Sequence, residues 1–457
     1  MISTSRRAAL RAAMATIVAG ATLGSRLGWG AEPAGSSTGT SAAGTNGTGT
    51  NTAGGNATGG KKWDVIVVGA GVFGAWTAWK LHEQGKSVLL VDAWGPAHSR
   101  ASSGGESRLI RTEYGGDELY TRMAWESLPQ WQALSQRSGL PIFLPVGALY
   151  LYQHASADVA NSLALHARLG IPAQKLSRAE LAARYPQIGL DRIEFGVLQP
   201  TMGALMARRA VQTLVAQFVA AGGTYRQVAV APPRAGASLD AIDVGGAGTG
   251  AAAAGGGDSG GSSERLRADQ FVFACGPWLP KLFPDVVGSR IQPTRQDVFF
   301  FAPEAGDTRF EAGHLPAWVD RDDEALHYGF PVLEARGFKI ALDAHGPKFD
   351  PDTGERQITA PALAAVREYL ARRFPGIARR PLAESRVCQY ENSENGDFLI
   401  DRHPAWHNTW IVGGGSGHGF KHGPAVGRYV SEIVTGTLRT AEPRFAWSHH
   451  ATQASVS

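Results

Sequence analysis

The chain has 457 residues, 43% hydrophobic and 18% charged, which is enough for two domains or one large domain with a sizeable core. Its formal charge of +4 matches four arginines, Arg6, Arg7, Arg11 and Arg26, in a first stretch of 31 residues that holds no acidic residue. The remaining 40 basic residues balance the 40 acidic ones, which excludes the basic surface of a nucleic-acid-binding protein.

The first 31 residues are typical of a targeting segment. Ser5, Arg6 and Arg7 precede a mildly apolar run, rich in alanine and glycine, that ends near Leu23. A twin arginine before a weakly hydrophobic stretch predicts export by the twin-arginine route; the alternatives are an ordinary secretory signal and a disordered basic tail. We therefore expect a periplasmic or secreted protein. No later run of about 18 apolar residues predicts a membrane span in the mature protein.

Two stretches of low sequence complexity differ in composition from the rest of the chain. Residues 32–61 consist mainly of glycine, serine, threonine, alanine and asparagine, so they are predicted to form a disordered linker. Residues 245–263 have a similar composition and are predicted to form a disordered loop within the body of the protein.

The ordered part begins with a strand, a helix and a second strand. Val65–Val68 is a continuous β-branched run, as a buried parallel strand requires. A helix is predicted from Val72 to Gln84, with Gly85 after it in the position that glycine favours at helix ends. Ser87–Val91 gives the next strand, so the segment reads as one βαβ unit.

A dinucleotide-binding fingerprint lies inside this unit. Gly69, Gly71 and Gly74 form the GxGxxG pattern between strand and helix, and Asp92 ends the second strand 23 residues after Gly69. In this pattern the glycines permit a tight turn, close approach to a diphosphate and close packing of helix on strand. The helix N-terminus attracts phosphate, and the acid accepts the ribose hydroxyls. The alternative is a glycine turn in an α/β fold that binds no nucleotide.

Further elements continue the α/β pattern. A helix is predicted from Met202 to Ala221, followed by strands at Tyr225–Val230 and Gln270–Ala274. The aromatic, alternating sequence from Gly288 to Ile340 predicts antiparallel sheet. The fold class predicted is α/β, with a Rossmann-type nucleotide domain interleaved with an antiparallel-sheet substrate domain. The predicted segments are 62–125, 195–287 and 385–440 for the nucleotide domain, 126–194 and 288–384 for the substrate domain, and 441–457 for a tail.

A second glycine-rich turn lies near the end of the chain. Gly413–Gly419 follows the strand Trp410–Val412 and precedes a helix predicted from Pro424 to Val434. Such a turn lets the backbone lie against a flat ring, and the following helix N-terminus favours negative charge. His418 and His422 are four residues apart, but without a third ligand in this segment no metal is predicted.

Arginine and cysteine add two further expectations. Arg108 and Arg111 lie three residues apart, and the planar guanidinium suits a carboxylate ligand; the alternative is a pair of surface arginines. Cys275 and Cys388 lie in apolar runs, which favours buried free thiols over a disulfide.

These motifs resemble those of the D-amino-acid-oxidase-type flavoenzymes, most closely the group of monomeric sarcosine oxidase and N-methyltryptophan oxidase. The resemblance implies FAD as the cofactor and oxidation of a small amine or N-methyl amino acid. It is carried in order by Asp64–Asp92, Gly105–Arg111, Gln292–Gln296, Tyr328–Pro331 with Lys348–Thr353, and Asp397–Pro404 with Gly413–Lys421.

The resemblance also implies roles for individual residues. Arg108 would lie at the flavin ring together with Ser107, and Arg111 would bind the substrate carboxylate. Tyr328, His327 and Tyr390 are candidates for the substrate pocket. The last glycine turn would hold the isoalloxazine ring through Gly414, Ser416, Gly417, His418 and Gly419, with Lys421 as a weaker candidate.

Four positions depart from the family pattern. In the family a cysteine at this point of the sequence is linked covalently to the flavin. Arg336 stands at that position here, so the resemblance predicts non-covalent FAD. Asn392 replaces a lysine that binds the substrate carboxylate, and Gly104 replaces a histidine. The lysine that activates oxygen is expected at Pro284–Asp285, with Lys281 nearby.

The expected reaction is hydride transfer from a C–H bond beside nitrogen to N5 of the flavin, giving an imine that water hydrolyses. Oxygen is one possible electron acceptor. A dehydrogenase that passes electrons to a quinone or carrier and a non-catalytic flavin-binding envelope protein are the alternatives.

Overall fold

The computed structural model describes residues 61–245, 264–321 and 326–450. The predicted signal, nearly all of the linker, most of the glycine-rich loop and the end of the tail lie outside the described residues. All the elements named below belong to the described ranges.

The strands of the described ranges fall in three sheets. In chain order the strands are β1 (Lys62–Val68), β2 (Val88–Asp92), β3 (Ser107–Ile110), β4 (Phe143–Leu144), β5 (Ala148–Tyr152), β6 (Gln174–Ser177), β7 (Phe195–Gln199), β8 (Gly203–Met206), β9 (Thr224–Gln227), β10 (Ala229–Val230), β11 (Ala241–Gly245), β12 (Glu264–Phe273), β13 (Ile291–Phe301), β14 (Ala317–Arg321), β15 (Leu326–Phe330), β16 (Phe338–Leu342), β17 (Leu382–Ser393), β18 (Leu399–Arg402) and β19 (Thr409–Gly413). The α-helices are α1 (Val72–Glu83), α2 (Glu118–Ser138), α3 (Ala157–Leu169), α4 (Arg178–Arg184), α5 (Ala207–Ala220), α6 (Leu279–Leu282), α7 (Ala360–Arg373), α8 (Pro375–Ala378) and α9 (Gly423–Thr435).

The first sheet has a parallel centre, as the βαβ pattern predicts. Strand β1 pairs in parallel with β2 on one side and with β12 on the other, and β12 pairs in parallel with β19. Strands β9, β10, β11 and β18 complete it. Because both faces of the centre are covered, β1 is apolar without alternation from Val65 to Val68, and all four residues are buried.

Helices α1 and α9 cover one face of this sheet. Trp76 of α1 is fully buried, and its ring lies 5.2 Å from that of Trp131 on α2 in an edge-to-face arrangement. Gly427 of α9 lies against Trp76, where a β-carbon would come within 2.6 Å of the Trp76 backbone. Gly85 ends the first helical segment with φ +79°, which confirms the stop predicted there.

The second sheet has eight strands in the order β17-β13-β16-β15-β14-β5-β7-β6. Pairing is antiparallel between β13 and β16, β14 and β15, and β15 and β16, so the antiparallel sheet predicted between Gly288 and Ile340 is confirmed. A small third sheet pairs β3 with β8 and β8 with β4.

Four predicted boundaries do not coincide with the sheets and helices of the structure. Strands β7 and β17 belong to the second sheet although the sequence assigned nearly all of both to the nucleotide domain, and α2 runs unbroken through the predicted boundary at residue 125. Strand pairing over long separations is not encoded locally, so the partner of each strand could not be read from its own residues. The helix predicted from Met202 begins at Ala207, because Gly203–Met206 forms β8.

Candidate flavin and substrate site

The turn between β1 and α1 places the three fingerprint glycines at the carboxyl edge of the first sheet. Gly69 has φ +103°, and a β-carbon there would lie 2.4 Å from the carbonyl oxygen of Ala274. A β-carbon on Gly74 would lie 1.9 Å from the Gly69 carbonyl oxygen, so this glycine lets α1 pack on the turn. At Gly71 the nearest atom would be Ser103 Oγ at 3.6 Å, which leaves room for a ligand beside the backbone.

Asp92 lies at the end of β2, directly beside this turn. Its Oδ2 accepts a hydrogen bond of 2.8 Å from the Ala70 backbone N–H, and its Oδ1 accepts bonds of 2.9 Å from Trp94 and Gly95. The carboxylate is therefore fixed in position by the backbone. Its remaining lone pairs can accept hydroxyl groups from a ligand in the adjoining cavity.

A cavity of about 350 Å³ runs along this edge of the sheet. We call it the main cavity, and its size is that of a small-molecule pocket. The predicted residues that line it are Gly69, Gly71, Asp92, Arg108, Gly417 and Gly419.

Other residues of the main cavity were missed by the sequence reasoning. Ser103 accepts a hydrogen bond from the first backbone N–H of α1, at Val72, over 3.1 Å. The remaining missed lining residues are scattered along the chain, and a local motif marks none of them: Trp94, His98, Cys275, Trp278 and Glu391.

The glycine turn after β19 depends on backbone conformations that favour glycine. Gly414 and Gly417 have φ of +72° and +76°, and a β-carbon on Gly417 would lie 2.7 Å from the Tyr390 ring. Ser416, at φ +43°, anchors the turn because its Oγ accepts a hydrogen bond of 3.1 Å from the Ser393 N–H. Gly419 packs against Phe73 of α1, where a β-carbon would come within 2.9 Å of the ring. The turn thus closes the main cavity from the side opposite β2.

A buried cluster of polar side chains surrounds the hydroxyl of Tyr114. This hydroxyl lies 2.8 Å from Lys421 Nζ, 2.8 Å from His422 Nε2 and 3.1 Å from His418 Nδ1. The Arg111 guanidinium stacks on the Tyr114 ring, 4.4 Å from its centroid. We call these five residues the Tyr114 cluster. Of the predicted residues, it brings together Arg111, His418 and Lys421.

Burial governs protonation in the Tyr114 cluster. It lowers the pKa of His418 to about 3 and holds the pKa of His422 well below its ordinary value, so both imidazoles are neutral at pH 7. Burial, followed by the charge of Arg111, also lowers the pKa of Lys421 well below its ordinary value, against the opposing effect of Asp343. An additional negative charge in this cluster would therefore favour a protonated Lys421.

Arg108 lies between the main cavity and the second sheet. Its Nη2 donates to the Ser102 carbonyl oxygen at 2.7 Å and to Cys388 Sγ at 3.2 Å. Ser107, next to it, does not line the cavity; its Oγ and carbonyl oxygen accept hydrogen bonds of 3.1 and 2.7 Å from the buried Lys339 Nζ. Ser107 thus positions β3, which carries Arg108.

Tyr328 lies behind Arg108, hydrogen-bonded to Tyr390, and burial raises the pKa of Tyr328 to about 12. Asn392 Nδ2 donates to Thr294 Oγ1 at 2.8 Å, and its Oδ1 is buried without a hydrogen-bond partner. His327 stacks on Tyr369 at 3.8 Å between ring centroids. Neither Tyr328 nor Asn392 lines the main cavity.

Two positions considered from the family pattern, the flavin-linking cysteine and the second carboxylate ligand, have other candidates nearby in the structure. Arg336 points towards Glu106 and Glu384, whereas Cys388 is the thiol in contact with Arg108, so a cysteine does lie near the cavity. Non-covalent binding of FAD stays a prediction. A buried lysine is also present beside Arg111, because Lys421 reaches the Tyr114 cluster from the other end of the chain.

The structure also explains two other departures. A β-carbon at Gly104 would lie 2.0 Å from the His98 carbonyl oxygen, so this position admits no side chain. Lys281 lines the main cavity, while Pro284 and Asp285 are exposed and do not. The ammonium group of Lys281 lies 2.8 Å from Asp350 and 2.5 Å from Asp352.

Three further features concern the described residues alone. No group of three or more His, Cys, Asp or Glu side chains in these ranges could hold a metal ion. Cys275 and Cys388 are both free thiols, as the sequence predicts. Within the same ranges, no helix has the length and apolar character needed to cross a bilayer.

The main cavity and the Tyr114 cluster are consistent with the proteins to which this chain is similar. The family model described as FAD dependent oxidoreductase matches residues 64–433, and the chain belongs to this family. It is an FAD-dependent oxidoreductase of the sarcosine oxidase and amino acid oxidase type. The matched range contains every predicted site residue.

Particular relatives narrow the comparison. The chain is 30% identical over 377 residues to peroxisomal sarcosine oxidase of Mus musculus, covering 81% of this chain and 92% of that protein. It is 29% identical to monomeric sarcosine oxidase of Bacillus sp. (strain NS-129), with the same coverage. N-methyl-L-tryptophan oxidase of Citrobacter koseri is 28% identical, over 82% of this chain and 95% of that protein.

Solved structures support the fold. L-proline dehydrogenase from P. horikoshii superposes with a TM-score of 0.71 at 17% identity, over 85% of this chain and 97% of that one. Glycine oxidase from Bacillus cereus gives a TM-score of 0.65 at 17% identity, over 87% of this chain and 100% of that one. The α/β class with a Rossmann-type nucleotide domain is thereby confirmed.

The residues of the main cavity fit FAD. Gly71 leaves room for a diphosphate beside the N-terminus of α1, and Asp92 stands where ribose hydroxyls need an acceptor. At the other end, the Gly413–Gly419 turn presents backbone for a flat ring. Glu391 Oε2, buried between these regions, has no hydrogen-bond partner in the structure, which marks a place for a polar ligand atom.

Proposed function

We propose that this enzyme oxidises a small amine that carries a carboxylate, such as an amino acid or N-methyl amino acid, and delivers the electrons to FAD. The observation that carries the proposal is that half-buried Arg111 and buried Lys421 both contact Tyr114 beside the glycine turn predicted to hold the flavin ring. The named substrates of the relatives, sarcosine and N-methyl-L-tryptophan, are secondary amines with a carboxylate and support the same chemistry.

Arg111 and Lys421 are suited to bind a carboxylate together. Both contact Tyr114, Arg111 through its ring face and Lys421 through its hydroxyl. A guanidinium donates two parallel hydrogen bonds to a carboxylate, and an entering negative charge favours the protonated Lys421 that burial opposes. The site then holds two cations against one substrate carboxylate and Asp343.

Asn392 was the expected partner of Arg111, but its contacts support a different role. Its amide nitrogen is already bonded to Thr294 on the neighbouring strand β13. We therefore propose that Lys421 binds the carboxylate and that Asn392 holds β17 against β13.

Bound FAD supplies the hydride acceptor of the reaction. The protein residues orient the substrate, because Arg111 and Lys421 fix the carboxylate and thereby the position of the neighbouring C–H bond. His418 and His422 are neutral at pH 7, so they add no charge that would repel a protonated substrate amine. Tyr328 and Tyr390 are hydrogen-bonded to each other and lie beside Arg108.

The anaerobic half-reaction tests this proposal directly. Purified protein containing FAD is mixed without oxygen with sarcosine, other N-methyl amino acids, amino acids and amines that lack a carboxylate. We expect the oxidised flavin absorbance to bleach with carboxylate-bearing amines and to persist with the matched amines without a carboxylate. Bleaching that is independent of the carboxylate would contradict the role of Arg111 and Lys421.

A dehydrogenase is the second candidate function, and the contacts of Lys281 support it. This lysine is the cation at the cavity wall near the expected oxygen-activating position, and two aspartates neutralise it. Admitting air to the bleached enzyme separates the alternatives. Rapid return of the yellow colour identifies an oxidase, whereas slow return with fast reoxidation by a quinone or dye identifies a dehydrogenase.

We further propose export by the twin-arginine route to the periplasm or outside the cell. The pair Arg6 and Arg7 before a mildly apolar stretch supports it. Fusing residues 1–60 to a reporter that matures only after folded export tests this. Replacing both arginines by lysine should abolish export, and unchanged export of that variant would contradict the proposal.

A further inference from the structure

Glu391 is a buried acid in the main cavity that neither the family pattern nor the proposed substrate chemistry uses. It lies near the end of β17, paired with Pro293 of β13, and only 9% of its surface is exposed. Its Oε1 accepts a hydrogen bond of 3.3 Å from the Gly415 N–H. Its Oε2 is fully buried and has no hydrogen-bond partner.

Three glycines surround the carboxyl group of Glu391, and two of them lie beside its free oxygen, Oε2. A β-carbon at Gly413 would lie 3.4 Å from Oε2, and one at Gly276 would lie 3.7 Å from it. Gly415, whose β-carbon would lie 3.1 Å from Oε1, completes the set. These glycines follow β12 and β19, so the carboxyl lies at the carboxyl edge of the first sheet, where the ligands of such folds bind.

The surroundings leave the charge of Glu391 poorly compensated. Burial raises its pKa to about 7, against the lowering effect of the Gly415 and Gly414 backbone N–H groups. Cys275, in the segment after β12 that faces Glu391, is a neutral thiol because burial raises the pKa of Cys275. The other charged or titratable side chains of the cavity wall are Asp92, His98, Arg108, Lys281, Asp352 and Tyr390.

We propose that Glu391 contacts bound FAD and takes up one proton when that FAD is reduced. The electron balance is simple: a hydride adds two electrons and one proton to FAD and leaves a negative charge on it. A second negative charge on Glu391, in the same water-poor space, would be repelled by the first. The carboxylate therefore takes a proton from solvent or from the substrate ammonium group, and the pair keeps a single negative charge.

The midpoint potential of the bound FAD, followed against pH during reduction by dithionite, tests this without any substrate. The variants are Glu391→Gln, which keeps the size and polarity of the side chain, and Glu394→Gln, an exposed glutamate three residues away as the matched control. From about pH 7 upwards, wild type and Glu394→Gln should show a potential that falls with pH about twice as steeply as in Glu391→Gln. Equal slopes in wild type and Glu391→Gln would overturn the proposal.

A second measurement covers the case in which Glu391→Gln does not retain FAD. The infrared difference spectrum between reduced and oxidised wild-type enzyme at about pH 8 should gain a band of a protonated carboxylic acid. Labelling the glutamates with carbon-13 should shift that band. The absence of a new, glutamate-dependent band would overturn the proposal independently of any variant, and independently of which amine is the substrate.

Discussion

The main cavity and the Tyr114 cluster are built in opposite ways. The cavity begins with a glycine turn, Gly69 to Gly74, that lies beside Asp92 of the same βαβ unit, although Gly69 also packs against Ala274 after β12. The Tyr114 cluster joins residues more than 300 positions apart, because Lys421 reaches Tyr114 across the fold. The comparison teaches that the diphosphate end of the cofactor site starts from a contiguous motif, whereas the flavin-ring end and the substrate site exist only once distant segments of the chain have assembled.

We expect the largest effect from a substitution in the glycine turn between β1 and α1. Gly69→Ala places a β-carbon 2.4 Å from a backbone oxygen at φ +103°, so we expect loss of FAD binding and a destabilisation of roughly 3 kcal/mol or more. Gly71→Ala is the matched variant, since its β-carbon meets ordinary contact distance only. It should fold normally by circular dichroism and still lose FAD, measured from the flavin absorbance per chain. Full FAD occupancy in Gly71→Ala would contradict a diphosphate lying against this turn.

Substitutions in the Tyr114 cluster test whether this cluster binds the substrate carboxylate. Lys421→Met and Arg111→Lys should each raise KM for a carboxylate-bearing amine by about 30- to 1000-fold, corresponding to roughly 2–4 kcal/mol for a charged hydrogen bond. FAD content should remain close to that of wild type. The exposed Arg428→Gln serves as a control for loss of one positive charge. Equal KM values in Lys421→Met and wild type would remove Lys421 from the carboxylate site.

The burial of Glu391 in the main cavity predicts a pH-dependent stability of the FAD-free protein. Its folded pKa of about 7 exceeds its ordinary value of 4.5, so its contribution is fully present below about pH 4.5 and is lost as pH rises to 7. Glu391→Gln lacks this loss. Urea unfolding should show the variant more stable than wild type by roughly 3 kcal/mol at about pH 8 and by much less at about pH 4. A difference that does not change with pH would contradict the burial of an ionisable carboxyl.

The smallest effect is expected at Asn392, the residue that the family pattern placed in the substrate site. Asn392→Ala removes one hydrogen bond to Thr294 and should lower the free energy of unfolding by about 1–2 kcal/mol. Its KM should stay within about twofold of wild type. A large rise in KM with unchanged stability would indicate that Asn392, and not Lys421, binds the substrate carboxylate.

The same contrast explains what could be predicted from the sequence. The β1–α1–β2 unit, the stop at Gly85 and the helix near Pro424 follow from local periodicity and glycine positions, and the structure confirms them. The place of β7 and β17 in the second sheet and the strand at Gly203–Met206 could not be predicted, because both depend on pairing with strands that are distant in the sequence. Arg111 alone could be linked to a carboxylate, because no local pattern places Lys421 beside it.

Titration of the FAD-free wild-type protein with FAD tests the central claim most directly. Trp94 and Trp278 line the main cavity, so binding should quench tryptophan fluorescence while the flavin spectrum sharpens. The account predicts saturation at a single equivalent of FAD per chain. A folded protein that takes up no FAD, with tryptophan fluorescence unchanged throughout the titration, would contradict it.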